Sequence, residues 1–170
     1  MSRVQLFQLP DAAIHALAAG DLESASDAAG LNLPRFFADP DSQNTWMMRS
    51  KQIEADPECA SWITRAIVDT VTGRVVGRAG FHGPPDDAGM LELGYAVDPA
   101  HRRKGYARAA FEALLDRARA DPAVTTLRAA IRPDNTASYN LISRYPFAEV
   151  DDQWDEVDGL EIVYEMDVRG

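Results

Sequence analysis

Cysteine is nearly absent. Cys59 is the single one in 170 residues, so neither an internal disulfide nor a cysteine-based metal cluster can form, and a reducing compartment suits the chain. Histidine is almost as scarce, and His15, His82 and His101 are too scattered to build a metal site. No apolar run approaches a membrane span, and the opening MSRVQLFQLP lacks the apolar core of a secretory signal. A cytoplasmic protein without membrane association is therefore expected. Basic charge is also short: 17 lysines and arginines against 27 aspartates and glutamates give a net charge of −10. Binding a duplex requires a basic face that displaces counterions, which argues against nucleic acid as a partner.

What is present is an ordinary globular balance, with 46% hydrophobic and 26% charged residues. The length fits one domain, residues 1–170, large enough to bury its own core. Between Asp151 and Asp167 lie eight acidic residues and no basic ones. Such a face attracts a cationic amine, or is simply a solvated surface.

The first half reads as helices. Pro10-Asp11 opens a helix with Ile14 and Leu17 on one stripe, closed by Gly20; Asp21 restarts a second, ended by Gly30. Asp41 or Ser42 caps a third that runs through Trp46, Met47 and Ile53 to about Pro57. From Trp62 the pattern turns to strands. WITRAIVDT and RVVGRAGFH flank the turn Val71-Thr72-Gly73 as a hairpin, and LELGYAV, Leu91 to Val97, is a third strand. A helix follows to Ala120, with Phe111, Leu114, Leu115 and Ala118 on one stripe. TLRAAI is the next strand, Asn135 to Arg144 a short helix, and two last strands turn around Asp158-Gly159. This order predicts a mixed α/β (α+β) layer, a sheet covered by helices on both faces.

The most informative stretch is LELGYAVDP followed by AHRRKGYARAAFEALL: a strand, a short basic loop and a long amphipathic helix. At a helix start the first N–H groups have no intrahelical partner and point outward at the positive end of the dipole, which makes an anion site. Gly105 and Ala107 leave room for phosphate oxygens at the backbone. Arg102, Arg103, Lys104 and Arg108 place four cations within seven residues. Charge-assisted hydrogen bonds are worth about 1.5–3 kcal/mol each, so two of them matter for a dianionic ligand. Taken alone, such a loop serves equally as a solvated basic turn.

Arg102-Arg103-Lys104-Gly105-Tyr106-Ala107 resembles the cofactor motif of the GNAT superfamily of N-acetyltransferases, Gln/Arg-x-x-Gly-x-Gly/Ala between a strand and a helix. ELGYAVDP resembles that family's fourth strand, and Asn135-Thr136-Ala137-Ser138 its Asn-x-x-Ser/Ala signature. In motif the chain is most similar to the branch that acetylates ribosomal-protein N-termini. The resemblance covers about residues 62–167, the cofactor-binding core, and leaves the helices of 11–55 to contribute to an acceptor site. It implies a mostly antiparallel sheet with one splayed strand pair. Acetyl-CoA would lie in that cleft as cosubstrate, with no metal. Tyr95, Ala96 and Val97 would pair with the pantetheine arm, the N–H groups from Arg103 to Arg108 would hold the pyrophosphate, and Asn135 would bond the pantetheine.

The chemistry implied is attack of an amine on a thioester, in a ternary complex. Ala96 N–H is then the oxyanion donor by analogy. Glu92, the lone charge within LELGYAV, is the candidate base, directly or through a water. The motif tyrosine that protonates the leaving thiol in many family members is Ile142 here. Ser138 is the candidate that assists the thiol instead. The acceptor is an amine, either a small molecule or a protein N-terminus, with a homodimer left open. Two other readings remain at this level: a catalytically silent acyl-CoA sensor, and an unrelated α/β fold whose basic loop binds another phosphate ligand.

Overall fold

The computed structural model describes residues 3–170. A short strand β1 (Val4–Phe7) precedes three helices, α1 (Asp11–Ala18), α2 (Leu22–Ala29) and α3 (Pro40–Ala55). Then come β2 (Arg65–Asp69), β3 (Val75–Phe81), β4 (Met90–Val97), α4 (Tyr106–Ala120), β5 (Thr126–Ile131), α5 (Thr136–Ile142), β6 (Ala148–Asp155) and β7 (Gly159–Asp167). The strands form one seven-stranded sheet in the order β1-β2-β3-β4-β5-β7-β6. Every neighbouring pair is antiparallel except β4 with β5. The expected mixed, mostly antiparallel α/β sheet is what the chain builds.

Helices cover both faces. Side chains alternate across a strand. In β2, Ala66 enters a core with Ile14, Leu17, Phe37 and Trp46 from the first helices, whereas Ile67 enters a second core with Phe111 and Leu114 of α4. The α4 stripe forms as its spacing predicts: Phe111, Leu114, Leu115 and Ala118 are all buried. Asp121 ends the helix, and the side chain of Arg169 donates to the Arg119 and Val124 carbonyls beside that end. Full burial of one such apolar side chain is worth about 1.5–3 kcal/mol.

Three local expectations are corrected. Asp39, not Asp41 or Ser42, caps α3, accepting from Ser42 N at 2.7 Å with Pro40 in the first turn; proline's fixed φ favours that position. Trp62 follows a 3₁₀ turn, Pro57–Ser61, so β2 begins at Arg65. The first half, read as helices, also holds β1, which pairs with β2 from Val4↔Asp69 to Phe7↔Ala66. Among the described residues no helix is long and apolar enough to cross a membrane, and no group of three or more His, Cys, Asp or Glu side chains is placed to hold a metal ion.

Candidate active site

The site starts where β4 leaves β5. The two strands pair only at Met90↔Thr126, Leu91↔Leu127 and Glu92↔Arg128. Beyond Glu92, β4 continues to Val97 paired with β3 alone, and β5 continues to Ile131 paired with β7 alone. The strands therefore fork, leaving main-chain groups of β4 free along one edge. A charged row closes the fork: Arg128, opposite Glu92, holds Glu165 of β7 at 2.6 Å.

At the far end of β4 the chain passes through a 3₁₀ turn, Pro99–His101, into the basic loop. Asp98 fixes the turn by accepting from Ala100 N, and Arg102 Nε folds back onto the Val97 carbonyl at 3.2 Å. Arg103 and Gly105 both have positive φ, 61° and 81°. Successive N–H groups in such a turn converge into an anion-binding concavity. None of the N–H groups from Arg103 to Arg108 donates to an acceptor among the described residues. Around Gly105 no atom lies within 4 Å of where a Cβ would stand. A run of unpaired donors under an open glycine fits a diphosphate. Not every side chain of the motif faces that space. Arg108 is paired with Glu112 at 3.1 Å, and Tyr106 is buried, its hydroxyl donating to the Asp69 carboxylate.

On the other side of the fork stands α5. Asn135 is its N-cap, with Oδ1 accepting from Ser138 N at 3.2 Å. Both residues line the cleft, as do Tyr95, Ala129 and Ile131. Ile142, at the motif-tyrosine position, is 1% exposed within the core and cannot reach a reacting sulfur. Tyr95 takes a different place from the one its backbone suggests. Its hydroxyl is buried without a hydrogen-bond partner. Burial raises the phenol's pKa, and the neighbouring Ser138 hydroxyl works against that rise.

The opposite face of the fork opens into a cleft of about 660 Å³ between α3 and the β6–β7 hairpin. Its floor is a row of facing pairs from β3 and β4, with Arg78 opposite Ala96 and Gly80 opposite Gly94, followed by His82 with Glu92. The glycines leave the floor flat; a Cβ on Gly94 would lie 3.1 Å from His82 Nε2. His82 Nδ1 lies 3.5 Å from Glu92 Oε2. Burial pushes the Glu92 carboxyl up, but His82, Arg128 and Arg49 together outweigh it and hold the pKa below the usual carboxylate value. The rim is charged, with Asp41 and Lys51 from α3 and Asp155, Asp158 and Glu161 from the hairpin.

The residues expected to bind cofactor or act in catalysis lie on β4, on the loop and first turn of α4, and at the start of α5. The sequence reading missed Arg49, Arg78 and the side-chain role open to Tyr95. A signal for Arg49 was available: Ser42, Trp46, Arg49 and Ile53 share the buried stripe of α3, and a polar residue at a core position calls for a partner. Met47, on the same helix, is 45% exposed and lines the cleft.

The fold is shared with known acyltransferases. A spermidine N-acetyltransferase chimera from Vibrio cholerae and hSSAT superposes with a TM-score of 0.69 at 12% identity, over 99% of this chain and 97% of that one. In sequence, an uncharacterized N-acetyltransferase of Bacillus subtilis (strain 168), YjdG, is 37% identical over 87 residues, 51% of this chain. The L-2,4-diaminobutyric acid acetyltransferase of Streptomyces anulatus is 48% identical over 50 residues, 29% of this chain. The matches span 50% and 28% of those relatives. The acetyltransferase (GNAT) domain family matches residues 7–147, most of the chain and all of the fork and cradle, and the protein belongs to that family.

Proposed function

We propose that the protein is an acetyl-CoA-dependent N-acetyltransferase acting on a primary amine within a ternary complex. The observation that carries this reading is the fork. Free main-chain edge on β4 runs from a buried-edge carboxylate, Glu92, to a loop of unpaired N–H groups around Gly105. The Streptomyces and Vibrio proteins are named for acceptors with primary amines, which agrees with an amine here.

Main-chain groups of Tyr95 and Val97, which face the gap, pair with the pantetheine as an added strand, while those of Ala96 bond Arg78 of β3. The N–H groups from Arg103 to Arg108 hold the pyrophosphate, while Arg102 and Arg108 use their side chains to steady the loop. Asn135 keeps its amide nitrogen for the pantetheine once its oxygen caps α5. Lys104 and Arg103 add positive potential at the surface.

An acyl thioester supplies an electrophilic carbonyl and a thiolate leaving group. The new N–C bond forms as the C–S bond breaks, with a gap-facing main-chain N–H of β4, that of Tyr95 or Val97, meeting the developing oxyanion, because the Ala96 N–H is turned to Arg78 of β3. Glu92, held ionised, draws and aligns the ammonium; as a weak base it passes the proton on toward His82. The Tyr95 hydroxyl, unpaired in the structure, donates to the sulfur, and Ser138 supports it. The departure at Ile142 is thereby made good from β4.

Thiol release from acetyl-CoA across an amine panel tests the reading. Turnover that disappears in Gly105→Glu and falls strongly in Glu92→Gln is expected. Tight acetyl-CoA binding with no turnover on any amine would instead favour a silent sensor, the reading that Ile142 keeps in play.

A further inference from the structure

Only four polar or charged residues are buried among the described residues: Ser42, Arg49, Thr64 and Asp69. Asp69 has Arg3 as its partner. The other three lie under α3, where Arg49 and Thr64 line the inner wall of the cleft and Ser42 accepts from Arg78. Arg49 is 7% exposed. Its Nε donates to Thr64 Oγ1 at 2.9 Å and its Nη1 to Gln52 Oε1 at 2.8 Å. Arg78 reaches it from β3, with Nε donating to Ser42 Oγ at 3.0 Å and the guanidinium 5.8 Å from the Phe36 ring.

All these acceptors are neutral. Neither arginine forms an ion pair with a carboxylate among the described residues. Asp39, Asp41 and Asp158 act on Arg78, and Glu92 on Arg49, only from a distance. Buried charges are ordinarily paired, because an uncompensated one is costly. Here two of the same sign share a wall. Each guanidinium has five N–H donors, so several remain for a ligand. Burial lowers the pKa of both arginines, Arg49 to about 10, with the Arg78 charge adding to the effect.

Both arginines line the cleft, as do Glu92, His82 and the Gly80–Gly94 floor between them. Alternate residues on a strand are about 7 Å apart. A small molecule lying on that floor therefore presents one end to the arginines and the other to Glu92. The two ends need opposite charges. A polyamine would set an ammonium against the two arginines.

We propose that the acceptor is an amino carboxylate, its carboxylate held by Arg49 and Arg78 and its amine facing Glu92 and His82. This rests on the acyl-transfer reading above and narrows its substrate class.

Matched pairs test it. Thiol release from acetyl-CoA is measured with 2,4-diaminobutyrate and 1,3-diaminopropane, ornithine and putrescine, lysine and cadaverine, and with a tripeptide amide. The acid of each pair should exceed its decarboxylated partner in kcat/KM by at least about tenfold, as a charge-assisted contact warrants. In Arg49→Met and Arg78→Met that ratio should collapse toward one, through KM rather than kcat. Arg78→Met, which breaks a single side-chain bond, serves if Arg49→Met does not fold. Equal rates within the pairs, a preference for the diamines or the amide, or a ratio that survives both substitutions would overturn the proposal. If no acceptor releases thiol, acyl transfer itself fails. The proposal is then decided separately by calorimetric titration of ornithine and putrescine into protein saturated with free CoA. Tighter binding of ornithine supports it, and equal or weaker binding overturns it.

Discussion

Tyr106 donates its hydroxyl proton to the Asp69 carboxylate, so the first residue of α4 is tied to the last residue of β2. Arg3 joins them, 3.0 Å from the Tyr106 hydroxyl and 3.3 Å from the carboxylate. The tie lies directly behind Gly105 and fixes how the cradle sits on the sheet. The Tyr106 bond is the largest cause, opposed by burial and helped by Val71 N–H, Thr72 N–H and Arg3, in holding the Asp69 pKa at about 2.

Tyr106→Phe should lower the melting temperature by roughly 2–6 °C and raise the KM for acetyl-CoA several-fold. The sign of the pH effect follows from the depressed native pKa. Asp69 contributes stability above about pH 4, its unfolded value, and that contribution is lost as pH falls toward about 2. Removing the hydroxyl raises the native pKa, so acid melts should show the variant unfolding at higher pH than the parent. Coincident acid midpoints would contradict the assignment.

Gly105→Glu should remove acetyl-CoA binding while leaving the protein folded. Nothing surrounds the glycine within 4 Å, so the substitution adds only the positive-φ cost, about 1–2 kcal/mol, and a carboxylate where a diphosphate would sit. Acetyl-CoA should raise the parent's melting temperature and leave the variant's unchanged. An equal rise in both would remove the cradle from the mechanism.

Glu92→Gln should reduce kcat by about 10²–10⁴. Because the native carboxyl lies below the usual 4.5, Glu92 stays ionised across neutral pH. Any limb of the rate profile between pH 6 and 9 therefore belongs to another group, and it should persist in the variant at reduced height. Its disappearance would mean that Glu92 itself titrates there.

Tyr95→Phe separates activity from stability. The hydroxyl makes no close hydrogen bond, with the Ser138 side chain as its polar neighbour, and an unsatisfied buried polar group is unfavourable, so the variant should melt at the same temperature or higher. At the same time kcat should fall by about 10²-fold. An acyl donor with a more acidic leaving thiol should recover part of the loss, since the sulfur then needs less help from a proton. A variant with full activity would pass the acid role to Ser138.

The parts of this site legible in the sequence are those that lie together along the chain. A diphosphate cradle needs six consecutive residues, so Arg102–Ala107 carried its own signature. The α4 stripe is likewise a local period, and its residues are buried in the structure. The pairing of Arg49 with Arg78 is hidden because they come from a helix and a strand that meet only through packing; Arg49 stands out only as a polar residue on the buried stripe of α3, and Arg78 not at all. β1 was hidden for a related reason: its four residues pair with β2, some sixty residues away, and four residues are too few to set a period. The Asp39-Pro40 start of α3 is readable as well, just ahead of the Asp41 or Ser42 start expected above.

Only three residue pairs stitch β4 to β5, so the sheet is two plates, of four strands and three, joined by a narrow seam. In the free protein the amide hydrogens of Leu93–Val97 that face the gap should exchange quickly with solvent, beside slow ones in the same strand that β3 protects. A bound pantetheine would silence alternate amides along that edge. Such a footprint would reveal the donor's path along β4 before any acceptor has been identified.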